Sequence, residues 1–281
     1  MQNNPSESIP LDFKTQQCSF ASLRKLLSDS STSFCELKKL LEEACSKIAM
    51  QYNLFYENGK PRKSTIIEVF AKSSCLKCII VKLSSPLIAN DVDALYKECH
   101  RLAVNVLVEE LYNLLNQMGY KVAISTEAEL EYGKADILIT VTSYGLNLKG
   151  EAKELLVEVK TGNSLSLSQL FRYLLDERSD TIVVWRVRKR QILIFNAEKI
   201  KPLLVEFMRM ICLRANRLLS SHQIPPCQHT KQSNYQPSQE ELKIALEEFS
   251  EALVETLPIA LQTILKELEN VVPQEQKLSN G

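Results

Sequence analysis

The chain has 281 residues, 34 Lys and Arg against 34 Asp and Glu, and a formal net charge of zero. Apolar residues make 45% and charged residues 24%, an ordinary globular composition that excludes a wholly disordered chain and allows a sizeable core. No uninterrupted apolar run approaches the roughly 18 residues of a membrane helix, and the polar start MQNNPSES does not read as a signal peptide. The expectation is a cytoplasmic protein with no membrane partner. Zero net charge argues against coating nucleic acid by bulk attraction. Glycine is scarce, and neither GxxxxGK(S/T) nor GxGxxG occurs, so a glycine-rich phosphate cradle is not expected.

In chain order, residues 1–16 are polar and read as a frayed start. From Phe20 to about Tyr52 apolar residues recur at helical spacing, notably Leu37, Leu40, Leu41, Ala44 and Ile48, with the Ser-rich SDSSTS as a break and N-cap. ENGKPRK, residues 57–63, reads as a turn. A short helix from Ser64 leads into Ser73–Cys78. A long helix follows from about Val92 to Met118, closed by Gly119, with His100, Val104, Leu107, Leu111, Leu114 and Met118 on one stripe. The period then changes to two: residues 121–126, 135–142, 154–161, 181–187 and 191–196 read as strands, with a helix at Leu167–Leu175. Residues 200–219 form an amphipathic helix and 221–238 a linker. Glu240 to about Val271 is helical but interrupted by Pro258. This order predicts an α/β domain with a mixed sheet.

The stretch that carries chemistry is Asp136 in ADILI, followed by Glu158-Val159-Lys160 in LLVEVK. Residues i and i+2 of a strand face one side, so Glu158 and Lys160 project together, and a paired neighbouring strand would bring Asp136 to the same spot. Paired carboxylates suit Mg²⁺ or Mn²⁺, and a lysine beside them can orient an attacking water. A surface ion pair on a half-exposed strand is the plain alternative. On the following helix, Gln169 and Tyr173 stand at i and i+4, so amide and phenol share one face.

With this Q-x-x-x-Y after the E-x-K strand, the chain resembles the RecB-like branch of the PD-(D/E)XK nucleases, although ADILI stands where the family name has P-D. The resemblance implies a restriction-endonuclease-like mixed sheet flanked by helices over residues 61–229. Helical additions lie at 1–60, and a linker with an acidic helix at 230–281. It implies that Asp136 and Glu158 bind Mg²⁺ or Mn²⁺, that Lys160 positions the attacking water, and that Gln169 and Tyr173 orient the DNA strand. It also implies a third ligand on the helix before the sheet, His100, with Glu110, as in many members of the wider superfamily, as the alternative.

Residues 64–82, STIIEVFAKSSCLKCIIVK, resemble the beginning of the CRISPR-associated RecB-like exonucleases, with Cys75 at an iron–sulfur cysteine. Residues 215–227 resemble the segment before the later cluster cysteines, of which this chain has only Cys227. Cys75, Cys78, Cys227 and His229 would make a Cys₃His set for zinc or an altered cluster, with structural thiols as the alternative. Cys18, Cys35, Cys45, Cys99 and Cys212 read as packing residues within helical patterns.

Residues 182–220 carry a net charge of +7 and residues 238–281 a net charge of −6, so the overall zero is a cancellation. The run Arg186, Arg188, Lys189 and Arg190, at a strand turn just after the E-x-K strand, is the candidate phosphate contact, a solvated hairpin being the alternative. The function expected is metal-dependent hydrolysis of DNA, an exonuclease on single-stranded ends. By resemblance it works beside CRISPR adaptation proteins in spacer acquisition, with oligomerisation open. A non-catalytic nucleic-acid-binding or assembly subunit, and a repair or restriction-type endonuclease using Glu110, are the competing expectations.

Overall fold

The structure is a computed structural model, and it describes residues 32–73, 75–84, 91–120, 122–141, 153–162, 165–176, 178–221 and 238–271. Helices α1 (Phe34–Tyr52), α2 (Lys63–Lys72), α3 (Leu76–Ser84) and α4 (Asp91–Gln117) precede strands β1 (Val122–Leu130), β2 (Gly133–Val141) and β3 (Lys153–Lys160). Helix α5 (Leu167–Leu175) crosses to β4 (Thr181–Arg186). A 3₁₀ turn at Val187–Lys189 leads to β5 (Gln191–Asn196), then α6 (Ala197–Ser220) and α7 (Gln239–Val271). The sheet runs β1-β2-β3-β4-β5, with β3 and β4 parallel and the other neighbours antiparallel. The expected α/β architecture, a mixed five-stranded sheet flanked by helices, is present.

Each face of the sheet has its own apolar layer. On the first, α1, α2, α5 and α6 pack over Leu138, Leu156, Ile182 and Val184. On the second, α4 and α7 pack over Ile137, Ile139, Val157, Val159, Val183 and Trp185. The alternation along β3 follows from strand geometry: Leu155, Val157 and Val159 look to one layer, while Leu156 looks to the other with Glu158 and Lys160 in its phase. Both outer helices are integral to these layers. Helix α1 buries Leu37, Leu41, Cys45 and Ile48 in the first; α7 buries Phe249, Ala252, Leu253, Ala260 and Ile264 in the second. The α7 helix is also tied to β4, since Trp185 Nε1 donates to Thr256 Oγ1 at 2.9 Å. Arg214 of α6 donates to the carbonyls of Phe70 and Ser73 (the latter at 3.0 Å) at the end of α2, where intrahelical donors run out.

Local signals account for most boundaries. Ser33 and Glu36 form a reciprocal capping box at the start of α1. The predicted turn at 57–63 is closed by the Phe55–Pro61 bridge. Gly119, at φ 76°, takes the left-handed conformation that ends α4.

Three expectations are corrected. The α4 stripe is centred on Cys99, Ala103, Leu107, Leu111 and Leu115; Met118 is 47% exposed because the helix has already ended at Gln117. Cys35 is exposed rather than packed, whereas Cys45, Cys99 and Cys212 are buried as expected. Pro258 does not interrupt the last helix: α7 is continuous, and Val254, whose carbonyl the proline leaves without an intrahelical donor, is 76% exposed. Cys18, Cys227 and His229 lie outside the described residues, and so do residues 222–237 of the expected linker. Among the described residues, no helix is long and apolar enough to cross a membrane.

Candidate active site

The site is set by a fork between β2 and β3. Their ladder ends at Ile137–Val157, which places Asp136 beside Glu158 where pairing has stopped. Toward β1, Thr126–Ile137 and Ala128–Ala135 remain paired, so Glu127 stands opposite Asp136. Glu127 has φ 49°, an uncommon conformation for a residue with a side chain. The strands change face at this point: Val122 and Ile124 pack with the second layer, but Ala128 and Leu130 with the first, although regular alternation would keep them together. Asp136 therefore lies at a twist that leaves its carboxylate in the gap of the fork. Its Oδ2 accepts the Val159 N–H at 2.8 Å, a donor facing the diverging strand. Its Oδ1 is 3.1 Å from Nε2 of His100, which comes from α4 on the second face.

Glu158 stands on the first face and is only 1% exposed. Its Oε1 accepts from Gln169 Nε2 at 2.6 Å and also from the Lys160 ammonium. The Tyr173 hydroxyl lies 2.5 Å from Glu158 Oε2 and 2.8 Å from the Lys134 carbonyl oxygen, and can donate its single proton to either. Gln169 closes the network, donating to the Tyr173 oxygen at 2.6 Å and accepting from Lys160 Nζ at 2.6 Å. The i, i+4 spacing on α5 thus points both groups at one carboxylate, as the sequence predicts.

Electrostatics follow from this crowding. Burial, and then the neighbouring charge of Asp136, push the Glu158 carboxyl up to about 7, against the pull of Lys160 and Tyr173. The hydrogen bond to Asp136 raises the pKa of His100, and partial burial opposes it. Burial beside Glu158 and Asp136 keeps the Tyr173 phenol protonated.

The sequence reading missed three contributors. The Lys134 carbonyl and the Val159 N–H are backbone groups with no sequence signature. Glu68 of α2 lies near Arg172, with Nη2 at 3.8 Å, and is close enough to feel Lys160. Partial burial works against its charge, but Lys72, Arg172 and Lys160 outweigh it and hold its carboxyl below the ordinary range. The buried Arg172 reaches the Tyr132 carbonyl oxygen at 3.4 Å, and a Cβ at Gly133 would sit 3.3 Å from it. Glycine at 133 therefore leaves room for this guanidinium.

Other candidates stand elsewhere. Glu110 is exposed, ten residues beyond His100, or about 15 Å along the helix. Cys75 Sγ accepts the Cys78 N–H at 3.3 Å, so the first of these thiols caps α3. The basic run is engaged by the acidic helix: Arg188 meets Glu248 at 2.9 Å and Arg190 meets Glu255 at 2.5 Å. Arg186 donates to Gln191 at 3.0 Å, and Lys189 is exposed. Arg188 and Arg190 of this run are therefore paired with acids of α7 in the structure, while Arg190 itself remains about half exposed.

No protein-family model, no curated protein and no solved structure matches the chain. The chemistry of the site rests on its own donors and acceptors. Two carboxylates are hard donors of the kind that hold Mg²⁺ or Mn²⁺, and an imidazole nitrogen beside them is a softer donor that suits later first-row metals. A buried carboxyl raised by a second carboxylate is a pair short of positive charge, which fits a cation. In their present rotamers each group is held by protein donors. Among the described residues, no three His, Cys, Asp or Glu side chains are grouped closely enough to bind a metal ion.

Proposed function

We propose that this protein is a metal-dependent deoxyribonuclease of the RecB-like PD-(D/E)XK type, built on a restriction-endonuclease-like sheet. The observation that carries the reading is the fork: Asp136 stands where β2 leaves β3, opposite Glu158, with Lys160, Gln169 and Tyr173 bonded around that carboxylate. His100, Asp136 and Glu158 would hold Mg²⁺ or Mn²⁺, which when bound supplies charge for a phosphate and lowers the pKa of a nearby water. Lys160 would orient an attacking water, and Gln169 fixes the ammonium by accepting a hydrogen bond from it. Tyr173 holds Glu158 in place through its hydroxyl. The Val159 N–H orients Asp136. The substrate proposed is DNA with single-stranded ends, and trimming them in CRISPR spacer acquisition is what the family resemblance adds.

A non-catalytic nucleic-acid-binding or assembly subunit is the second reading. It is favoured by the protein donors that already engage the Glu158 oxygens, Gln169 and Lys160 at Oε1 and Tyr173 at Oε2. Labelled single- and double-stranded DNA incubated with Mg²⁺ or Mn²⁺, beside Glu158→Ala, separates the two. Cleavage that drops by at least about a hundredfold in the variant supports the nuclease. No cleavage by either protein, or equal cleavage by both, removes it.

A further inference from the structure

The β1–β2 hairpin is fastened at both ends, and to different layers. At its tip the Tyr132 hydroxyl donates to Glu42 of α1 at 2.7 Å, and Lys63 of α2 donates to Glu131 at 2.7 Å. Ala128, Leu130 and Ala135 near the tip belong to the first layer. Toward the open end, Val122, Ile124, Ile137 and Ile139 belong to the second. Regular alternation would put Ile124 and Ala128, or Ala135 and Ile137, on one face. Both strands instead reverse between the Thr126–Ile137 and Ala128–Ala135 pairs, with no residue inserted on either side.

The reversal coincides with one backbone angle, the φ of 49° at Glu127. Among the described residues, the other left-handed residues that carry a side chain, Asn53 and Arg190, close helical turns; Glu127 lies inside a strand. The conformation is unfavourable for a residue with a Cβ and persists where the surroundings fix it. The Glu127 side chain does not do the fixing. It is 83% exposed and has Lys134 Nζ 3.7 Å away, a pair that contributes little in water. What fixes the angle is the hold of the two layers on the two ends. The reversal in turn sets two groups of the site. Asp136, opposite Glu127, leaves the ladder and accepts the Val159 N–H at 2.8 Å, and the Lys134 carbonyl oxygen comes to 2.8 Å from the Tyr173 hydroxyl.

We propose that Glu127 is a positioning residue, whose left-handed backbone is the pivot that carries the hairpin from one layer to the other and so holds the Asp136 carboxylate beside β3. The requirement falls on the φ angle and not on the Glu127 carboxylate. Its catalytic meaning rests on the metal-site reading of Asp136, but the geometry does not.

The test is hydrogen exchange at the Val159 amide, followed by NMR in the metal-free full chain, because Asp136 protects that N–H. Val183, inside the central strand β4, serves as the reference and corrects for any change in global stability. Glu127→Gln keeps the side-chain shape without the charge, Glu127→Gly and Glu127→Asn accept a positive φ, and Glu127→Val resists it. The expected result is wild-type exchange at Val159 in the first three variants and about tenfold faster exchange, relative to Val183, in Glu127→Val. Glu127→Gly should also melt no lower than the wild type, since relief of strain offsets the freedom that glycine adds to the unfolded chain. Should Glu127→Val fail to fold, Glu127→Gly decides: a lower melting temperature or a faster Val159 overturns the pivot. Unchanged Val159 exchange in Glu127→Val overturns it, as does an unprotected Val159 in the wild type. Exchange in Glu127→Gln as fast as in Glu127→Val overturns it by assigning the effect to the carboxylate. Mn²⁺-dependent cleavage of single-stranded DNA is read separately. The expected exchange pattern without cleavage by the wild type sustains the pivot and removes the nuclease, and cleavage with unchanged exchange in Glu127→Val does the reverse.

Discussion

Around Glu158, four side chains from a strand and a helix spend their polar groups on one another inside the protein; at the Arg186–Arg190 turn, charges meet their partners at the surface. Both places are marked in the sequence by ionisable residues close together. The first is buried, so each donor and acceptor needs a partner, and an unmade bond costs more than a made one yields. The second is open to water, where an ion pair contributes little. Charge density in a sequence therefore locates neither a site nor a binding patch until burial is known.

The comparison can be broken most directly at Glu158. Burial and Asp136 push its carboxyl up to about 7 from an ordinary 4.5, so the folded protein binds the proton more tightly than the unfolded chain. Stability should fall as pH rises from the ordinary carboxyl range through about 7, by on the order of 2 kcal/mol in metal-free protein. Glu158→Gln should lack most of that slope; thermal melts in EDTA at pH 5 and pH 8 that show the same slope in both proteins would contradict the account. Tyr173→Phe, which removes the hydroxyl at Glu158, should lower stability by about 1–2 kcal/mol in urea titration. An unchanged midpoint would mean that the phenol contributes packing alone.

The hold on α7 gives two smaller tests. Thr256→Val leaves the Trp185 N–H without its acceptor inside the core and should cost about 1 kcal/mol by the same titration. The Arg190–Glu255 pair, with both side chains about half exposed, should show a coupling below about 1 kcal/mol in a double-mutant cycle and vanish in high salt. A coupling larger than the Thr256→Val effect would reverse the ranking, and the acidic helix would then be held by charge and not by its apolar face.

Much of the fold was legible because its signals are local. Period-two apolar residues marked all five strands, Ser33 and Gly119 marked helix ends, and E-x-K followed by Q-x-x-x-Y placed Glu158, Lys160, Gln169 and Tyr173 on shared faces. His100 was legible only through a family likeness, and the structure sets it 3.1 Å from Asp136. Other features had no local signal. Pro258 reads as a break in any sequence, yet α7 continues through it because its neighbours are packed against the sheet. The Cys78 N–H donated to Cys75 at the start of α3 is likewise a backbone contact that the C-x-x-C spacing does not announce.

By itself, then, the sequence determined the elements and the side-chain phases, since backbone periodicity and capping depend on residues a few positions apart. Tertiary structure decided where β2 leaves β3, how Glu127 and Asp136 carry the chain across the sheet, and which acids reach the arginines of the β4–β5 turn. These depend on pairing register and on packing between residues tens of positions apart. Such distances leave no spacing for a sequence to display.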